Sequence, residues 1–473
     1  MAKRYLNNLD SFIAACIGFY VIYIFTRYSG VGISPDSIMY ASTATNIQAH
    51  GSLLTFNGHP ITFFPVFYPF FLGVIQFITK VDPIKAGGII DASLFAGVIF
   101  TSGWIMSKFV ADAKIFILAH KDLWLILAYV ILCLGVGYGI LKIPGWSDSF
   151  LGADTRFVYK WLALSGIIFI AGQKYKWLIM AAIILSPGLL EIYTYLWSET
   201  LFILEVMLFI IAYSHYMQTH SLKQLLVVGI ITAIACITRY VGITIVGAGG
   251  LLLLLDNRLT FAKKIGHGLF YAGISVSLLV ANLVLNKLTT GLSTGTREPA
   301  ITPFHENLHY TGTVFCDWAA LGDKLYPYAT FIAGTVLLAL IAVLLWKAFT
   351  RQINSYENIV IAFAVAYGLF IVIWASISRF ERINSRLISP MFIPLLIGCT
   401  SWVPDVLALI RNKAKYVLAG VAIVLMVTFE YATYQTDAER YDNENDFDRA
   451  PSTDPGDVNG VPGYTDDSWN KSP

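Results

Sequence analysis

The sequence predicts an all-α polytopic membrane protein with about thirteen transmembrane helices. Three observations carry this. Only 13% of the 473 residues are charged, half the share of a soluble domain. The mean hydropathy is +0.66. Apolar runs recur along almost the whole length instead of gathering between polar linkers. A soluble chain of this size forms roughly three domains joined by such linkers, so a cytosolic enzyme, a secreted disulfide scaffold and a disordered protein are excluded.

A bilayer core of about 30 Å takes roughly 20 apolar residues as a helix. Residues 123–141, 269–286, 325–346 and 358–378 reach that length without Asp, Glu, Lys or Arg. Residues 11–26, 64–79, 92–107, 177–195, 206–217, 225–238, 240–255, 387–404 and 416–429 are shorter or interrupted. Residues 158–172 are an ambiguous extra candidate. Lys3 and Arg4 ahead of the first run place the N-terminus in the cytoplasm. Alternation then sets residues 29–63 outside. It also gathers Lys174/Lys176, Arg258/Lys263/Lys264, Lys347/Arg351 and Arg411/Lys413/Lys415 inside, provided 158–172 does not cross. Lys108, Lys114 and Lys121 disobey this arrangement, so the topology of 105–175 is the open part. The first run lacks a small-residue cleavage site and reads as an anchor, not a signal peptide.

The expected organisation is a membrane domain over residues 1–433, with outer loops at 29–63 and 289–324, and an acidic outer tail at 434–473. That tail holds ten acids against three bases, which leaves +9 on the rest of a chain whose net charge is +2. Its DNENDFD and DPGDVNGVPGYTDD stretches lack the glycine at the sixth position of an EF-hand loop, so a solvated tail is expected. No contiguous basic face points to nucleic acid. Cys16, Cys133, Cys236 and Cys399 sit in apolar runs and Cys316 in a polar loop, without metal or redox spacing.

The loop after the first span carries the chemistry. It has one acid, Asp36, between Pro35 and Ser37. Residues 38–48 can form a short interfacial helix with Tyr40, Ala44 and Ile47 on one side. Pro65 and Pro69 open the next span. Asp36 in an outer loop can take a proton from an acceptor, and cations at outer ends of spans can steady a departing phosphate. Arg239, Arg379, Arg382 and Arg386 stand at such ends. The plainer readings are a turn residue for Asp36, a structural ion pair for Arg239 and interfacial snorkelling for the other three. A charge in hydrocarbon costs a few kcal/mol, so Arg239 needs a partner: a lipid phosphate, Glu191 or Glu199.

The elements Asp36, Tyr40, His50-Gly51 and Pro65-Val66-Phe67-Tyr68-Pro69 resemble the first outer loop of the GT-C glycosyltransferases, in the branch around protein O-mannosyltransferases and lipid A aminoarabinose transferases. The resemblance continues through Trp197-Ser198-Glu199-Thr200-Leu201-Phe202, Thr238-Arg239-Tyr240-Val241-Gly242, Gly295-Thr296-Arg297 and Ser385-Arg386-Leu387-Ile388-Ser389-Pro390. It implies a GT-C-like helix arrangement and transfer of a sugar from a polyprenyl-phosphate carrier to an unspecified envelope acceptor. It also implies a bacterial inner-membrane location, Asp36 as general base, and substrate contacts from Tyr40, His59, Tyr68, Glu199, Arg239, Tyr240, Arg382 and Arg386. Partners are then the lipid-linked sugar and membrane lipid. Many relatives carry a second acid where Ser37 stands, so a divalent cation remains an open cofactor with no assigned ligands. Relatives also continue into a folded outer domain where this chain stops. The alternatives are a transporter or flippase for a lipid-linked substrate, and a non-catalytic relative.

His305-Glu306-Asn307-Leu308-His309 matches the zincin pattern H-E-x-x-H, which needs a helix and a third ligand. Gly312 and the β-branched Thr311, Thr313 and Val314 predict a short helix, and Phe315 stands where a metzincin has its third ligand. A coincidental match in an outer loop is expected.

Overall fold

The computed structural model describes residues 8–109, 174–319, 323–352, 356–379 and 381–409. The spans expected at 123–141 and 416–429, the extra candidate at 158–172 and the acidic tail lie outside them. Among the described residues the fold is all α, with isolated β-bridges and no strand. The helices are α1 (Leu9–Thr26), α2 (Pro35–His50), α3 (Phe67–Thr79), α4 (Pro83–Phe109), α5 (Lys174–Ile184), α6 (Pro187–Tyr193) and α7 (Ser198–Thr219). They continue as α8 (Leu222–Thr238), α9 (Ile243–Leu255), α10 (Phe261–Thr290), α11 (Phe304–Trp318), α12 (Ala329–Phe349), α13 (Tyr356–Ala375) and α14 (Ser385–Leu409). Among the described residues six segments are long and apolar enough to cross a membrane: α1, α4, α7, α10, α13, and α12 with the turn before it. This is an all-α membrane protein.

Polar contacts collect in two layers. One holds Asp10 with Lys176, Asp256 with His220 and Arg258, and Glu357 with Lys347. The other holds Asp36, Glu199, Arg239 and Arg386. Helix α7 starts in the second layer at Glu199 and ends beside His220 in the first. Its 22 residues span about 33 Å at 1.5 Å per residue, the depth of a bilayer core. Between the layers the body is packed with apolar side chains such as Phe95, Phe202, Phe209, Phe363 and Ile393, all wholly buried. Helices α10 and α12 instead turn Leu269, Val280, Leu288, Phe331, Leu338 and Phe349 outward. In a chain of this hydropathy these are faces for lipid.

Two segments depart from the expected spans. Residues 64–79 do not make a crossing helix. Pro65 delays the start, and α3 has only 13 residues, about 20 Å of rise. It lies alongside α2, with Tyr68 edge-on to Tyr40 at 5.0 Å and Thr45 Oγ1 donating to Gln76 Oε1 at 3.3 Å. Both ends of the excursion stay in the Asp36 layer. Tyr240 donates to Thr62 O at 3.0 Å before α3, and Gly87 packs on Val31 after it. Helix α4 then returns antiparallel beside α1, Gly88 against Thr26 and Gly103 against Ser11. Residues 177–195 are also not one span. Ser186 caps α6 through Leu189 N and Pro187 takes its first position, which pairs a favoured N-cap with a residue that cannot continue α5.

The helix expected in the first loop is present and longer than 38–48, running from Pro35 to His50. Ser34 and Ser37 form a reciprocal capping box at its start, and Gly51 closes it with φ of 62°. Tyr40 and Ala44 are buried and Ile47 half-buried, all on one side. Helix α11 crosses the start of α12 so closely that a Cβ on Gly312 would lie 1.8 Å from Ala329 O. Glycine there permits the crossing, so α11 runs on through Trp318 instead of ending early. Cys316 is consequently buried on a helix rather than held in a polar loop.

The Asp10–Lys176 pair joins α1 to α5 at 2.5 Å with both side chains 2% exposed. Removing one partner of a buried pair costs about 3–5 kcal/mol. Lys176→Met alone is expected to lose that much in unfolding experiments in detergent, and Asp10→Asn with Lys176→Met to recover most of it.

Candidate functional site

Four helix ends meet in the Asp36 layer. The first turn of α2 supplies Asp36, the first turn of α7 supplies Ser198 and Glu199, the end of α8 supplies Arg239, and the first turn of α14 supplies Arg386. Glu199 is wholly buried and binds both cations: Arg386 Nε donates to Oε1 at 2.6 Å, and Arg239 Nη1 pairs with Oε2. Arg239 Nη1 also donates to Ser198 Oγ at 3.1 Å. Arg386 Nη2 pairs with Asp36 Oδ2, and its Nη1 lies 3.6 Å from Glu381 Oε1. One buried carboxylate therefore sets two guanidiniums, and one guanidinium ties three carboxylates. Such charge-assisted forks fix orientation as well as energy.

Aromatic groups complete the setting. The Arg386 guanidinium lies 4.1 Å from the centroid of the Trp197 ring, whose Nε1 donates to Ser34 Oγ at 2.8 Å. Trp197 thus touches both the cation and the cap of the helix that carries Asp36. Tyr40 OH is 3.2 Å from Ser198 Oγ. Burial, then the carboxylates of Asp36 and Glu199, push the Tyr40 phenol up, so it stays protonated. Glu381, on the loop before α14, is likewise raised by partial desolvation of its carboxyl, with Arg386 pulling the other way.

Asp36, Tyr40, Glu199, Arg239 and Arg386 come together. Tyr68 is buried against Tyr40 just beneath. Tyr240 stands at the edge, where it also receives hydrogen bonds from Asn286 at 3.3 Å and Asn282 at 3.5 Å on α10. A Cβ on Gly242 would meet Ala235 O at 2.5 Å, so glycine allows the tight joint that carries Arg239 and Tyr240. Arg382 is exposed and lies over the Tyr310 ring at 4.1 Å. His59 stands apart: its backbone closes a turn with Thr55 while the residue is exposed. Arg379 pairs with Glu298 at the surface. Of the partners open to Arg239 on sequence, the structure selects Glu199.

Sequence reasoning passed over Trp197, Ser198 and Glu381 as site residues. It also passed over Asp91 on α4, whose buried carboxyl sits among Tyr68, Tyr193 and Thr200. A single acid leading into an apolar run was the signal for Asp91. The charge alternation of residues 379–386 was the signal for Glu381.

His305 and His309 share one turn of α11, with His305 exposed and His309 Nδ1 3.4 Å from Thr330 Oγ1. Among the described residues no group of three or more His, Cys, Asp or Glu converges to hold a metal ion. The chain matches no family model, no curated protein and no solved structure.

Glu199→Gln leaves two partly buried guanidiniums undercompensated, whereas Asp36→Asn loosens one partly exposed contact. Glu199→Gln is expected to cost about 3–5 kcal/mol and Asp36→Asn about 1 kcal/mol or less. Thermal unfolding of both variants in one detergent checks that order.

Proposed function

We propose that the protein transfers a sugar from a polyprenyl-phosphate carrier to an envelope acceptor, with the Asp36 layer at the outer face of a bacterial inner membrane. The N-terminus is then cytoplasmic and the acidic tail outside. The observation that carries the reading is one accessible carboxylate paired with Arg386, which a buried glutamate orients together with Arg239. Asp36 is 24% exposed, and its Oδ1 accepts no hydrogen bond among the described residues. That oxygen is free to take the acceptor's proton. The acceptor oxygen bonds to the anomeric carbon, the bond from that carbon to the phosphate oxygen breaks, and the electron pair leaves with the phosphate. Arg386 and Arg239 meet the charge that develops there. The resemblance to GT-C enzymes in the same residues supports the same reaction.

Two carboxyls favour transport of a lipid-linked substrate as the second reading. Asp91 and Glu205 lie inside α4 and α7 and are buried, and ionisable groups at that depth often line a pathway. The joint at 225–255 is a hairpin, α8 running to Arg239 and α9 returning to Asp256, and not a pair of half-helices meeting within one span.

The test uses purified protein in lipid nanodiscs with a panel of polyprenyl-phosphate sugars. Asp36→Asn is expected to lower turnover by about 10²–10⁴-fold, the range for a general base, while carrier binding persists. Binding without turnover in the native chain would make it a non-catalytic relative. Neither binding nor turnover would leave transport.

A further inference from the structure

The ion-pair cluster has one more acid than it has bases. Asp36, Glu199 and Glu381 face Arg239 and Arg386, so the assembled patch carries an excess negative charge and repels an anionic headgroup. The three contacts on Arg386 are not alike. Glu199 is wholly buried, and Asp36 is held in the first turn of a capped helix. Glu381 reaches Arg386 only at 3.6 Å, with 45% of its side chain exposed, and an exposed ion pair of that length contributes little.

The chain around Glu381 is pinned on both sides. Ser378 pairs with Pro299, and Arg379 N donates to Glu298 O at 2.8 Å. On the far side Ile383 is buried, and Asn384 Oδ1 accepts from Leu387 N at 3.1 Å to start α14. Between these anchors Glu381 and Arg382 are both exposed. Arg382 rests on the Tyr310 ring and has no carboxylate partner among the described residues. A weakly held acid on Arg386 is thus followed in the chain by a cation with no carboxylate partner among the described residues.

We infer that Glu381 is a displaceable stand-in for the carrier's phosphate: the headgroup takes its place on Arg386, and Arg382 adds a further cation to that same phosphate beside Arg386 and Arg239. This rests on the carrier reading of the site. A phosphate offers several oxygens to the guanidinium fork where Glu381 offers one at long range, so the exchange favours the phosphate. Displacement removes one negative charge from the patch and brings the Arg382 charge into it, which makes the site selective for an anionic lipid over a neutral one.

Binding of dodecyl phosphate to the full chain in phosphatidylcholine nanodiscs tests this, with neutral dodecyl maltoside as the control. Glu381→Gln is expected to tighten dodecyl phosphate on the order of 3- to 10-fold, the effect of removing one charge a few ångströms away. Arg382→Ala is expected to weaken it by a similar factor, and neither substitution to move the maltoside. Both side chains are exposed, and an unchanged unfolding temperature confirms that each variant is folded. Unchanged or weaker dodecyl phosphate binding in Glu381→Gln overturns the inference, as does unaltered binding in Arg382→Ala. Absence of sugar transfer by the native chain would overturn the proposed reaction and leave these binding shifts standing, so the two failures are distinguishable.

Discussion

The site layer depends on Glu199. Its carboxylate is removed from water at the first turn of a helix spanning the molecule, and a lone charge there would be prohibitively costly. Two arginines from distant parts of the chain resolve that cost, and each is thereby drawn to a fixed place. Arg239 is held at the joint between α8 and α9, and Arg386 at the start of α14. Arg386 in turn fixes Asp36 on α2. The helix order α2, α7, α8, α14 is thus tied together at one end by a single buried anion, while the opposite layer has its own ties through Asp10, Asp256 and Glu357.

That arrangement separates rigidity from reactivity. The groups that must not move, Glu199, Ser198, Trp197 and Tyr40, are buried and bonded to one another or to their immediate neighbours. The groups that meet the carrier and acceptor in the proposed reaction, Asp36, Glu381 and Arg382, lie outward of them in partial or full contact with solvent. Trp197 links the two sets, because one face of its ring supports Arg386 while its N–H holds the cap of the helix bearing Asp36. A small shift of that ring would move Asp36 and Arg386 together. Arg386 is already shared among three acids before any ligand arrives, so an incoming anion must compete for it instead of finding an empty cradle.

The two helices of the first outer excursion follow from the same economy of polar groups. Helices α2 and α3 pack side by side above the body, with Tyr40 and Tyr68 edge to edge. The apolar side of α3 that carries Phe70, Phe77 and Ile78 faces away from the protein.

Composition and hydropathy by themselves determined that the chain is an all-α membrane protein, because no other class tolerates so few charges over so many apolar runs. A short helix after the first span was also legible over 38–48, and its true ends, capped by Ser34 and Gly51, are local features that need no distant partner. The acids and arginines of the site were visible one by one for a similar reason: a charge inside an apolar context must have a partner. Which partner it has is not a local property. Only the tertiary structure chose Glu199 over Glu191 for Arg239, set Arg379 on Glu298 at the surface, brought Glu381 to Arg386 and left His59 in a turn of its own. Only it showed that residues 64–79 turn back, because hydropathy records how apolar a helix is and not which layer receives its end. The length of α11 was likewise decided by a close crossing, Gly312 on Ala329, that the local helix propensities argued against.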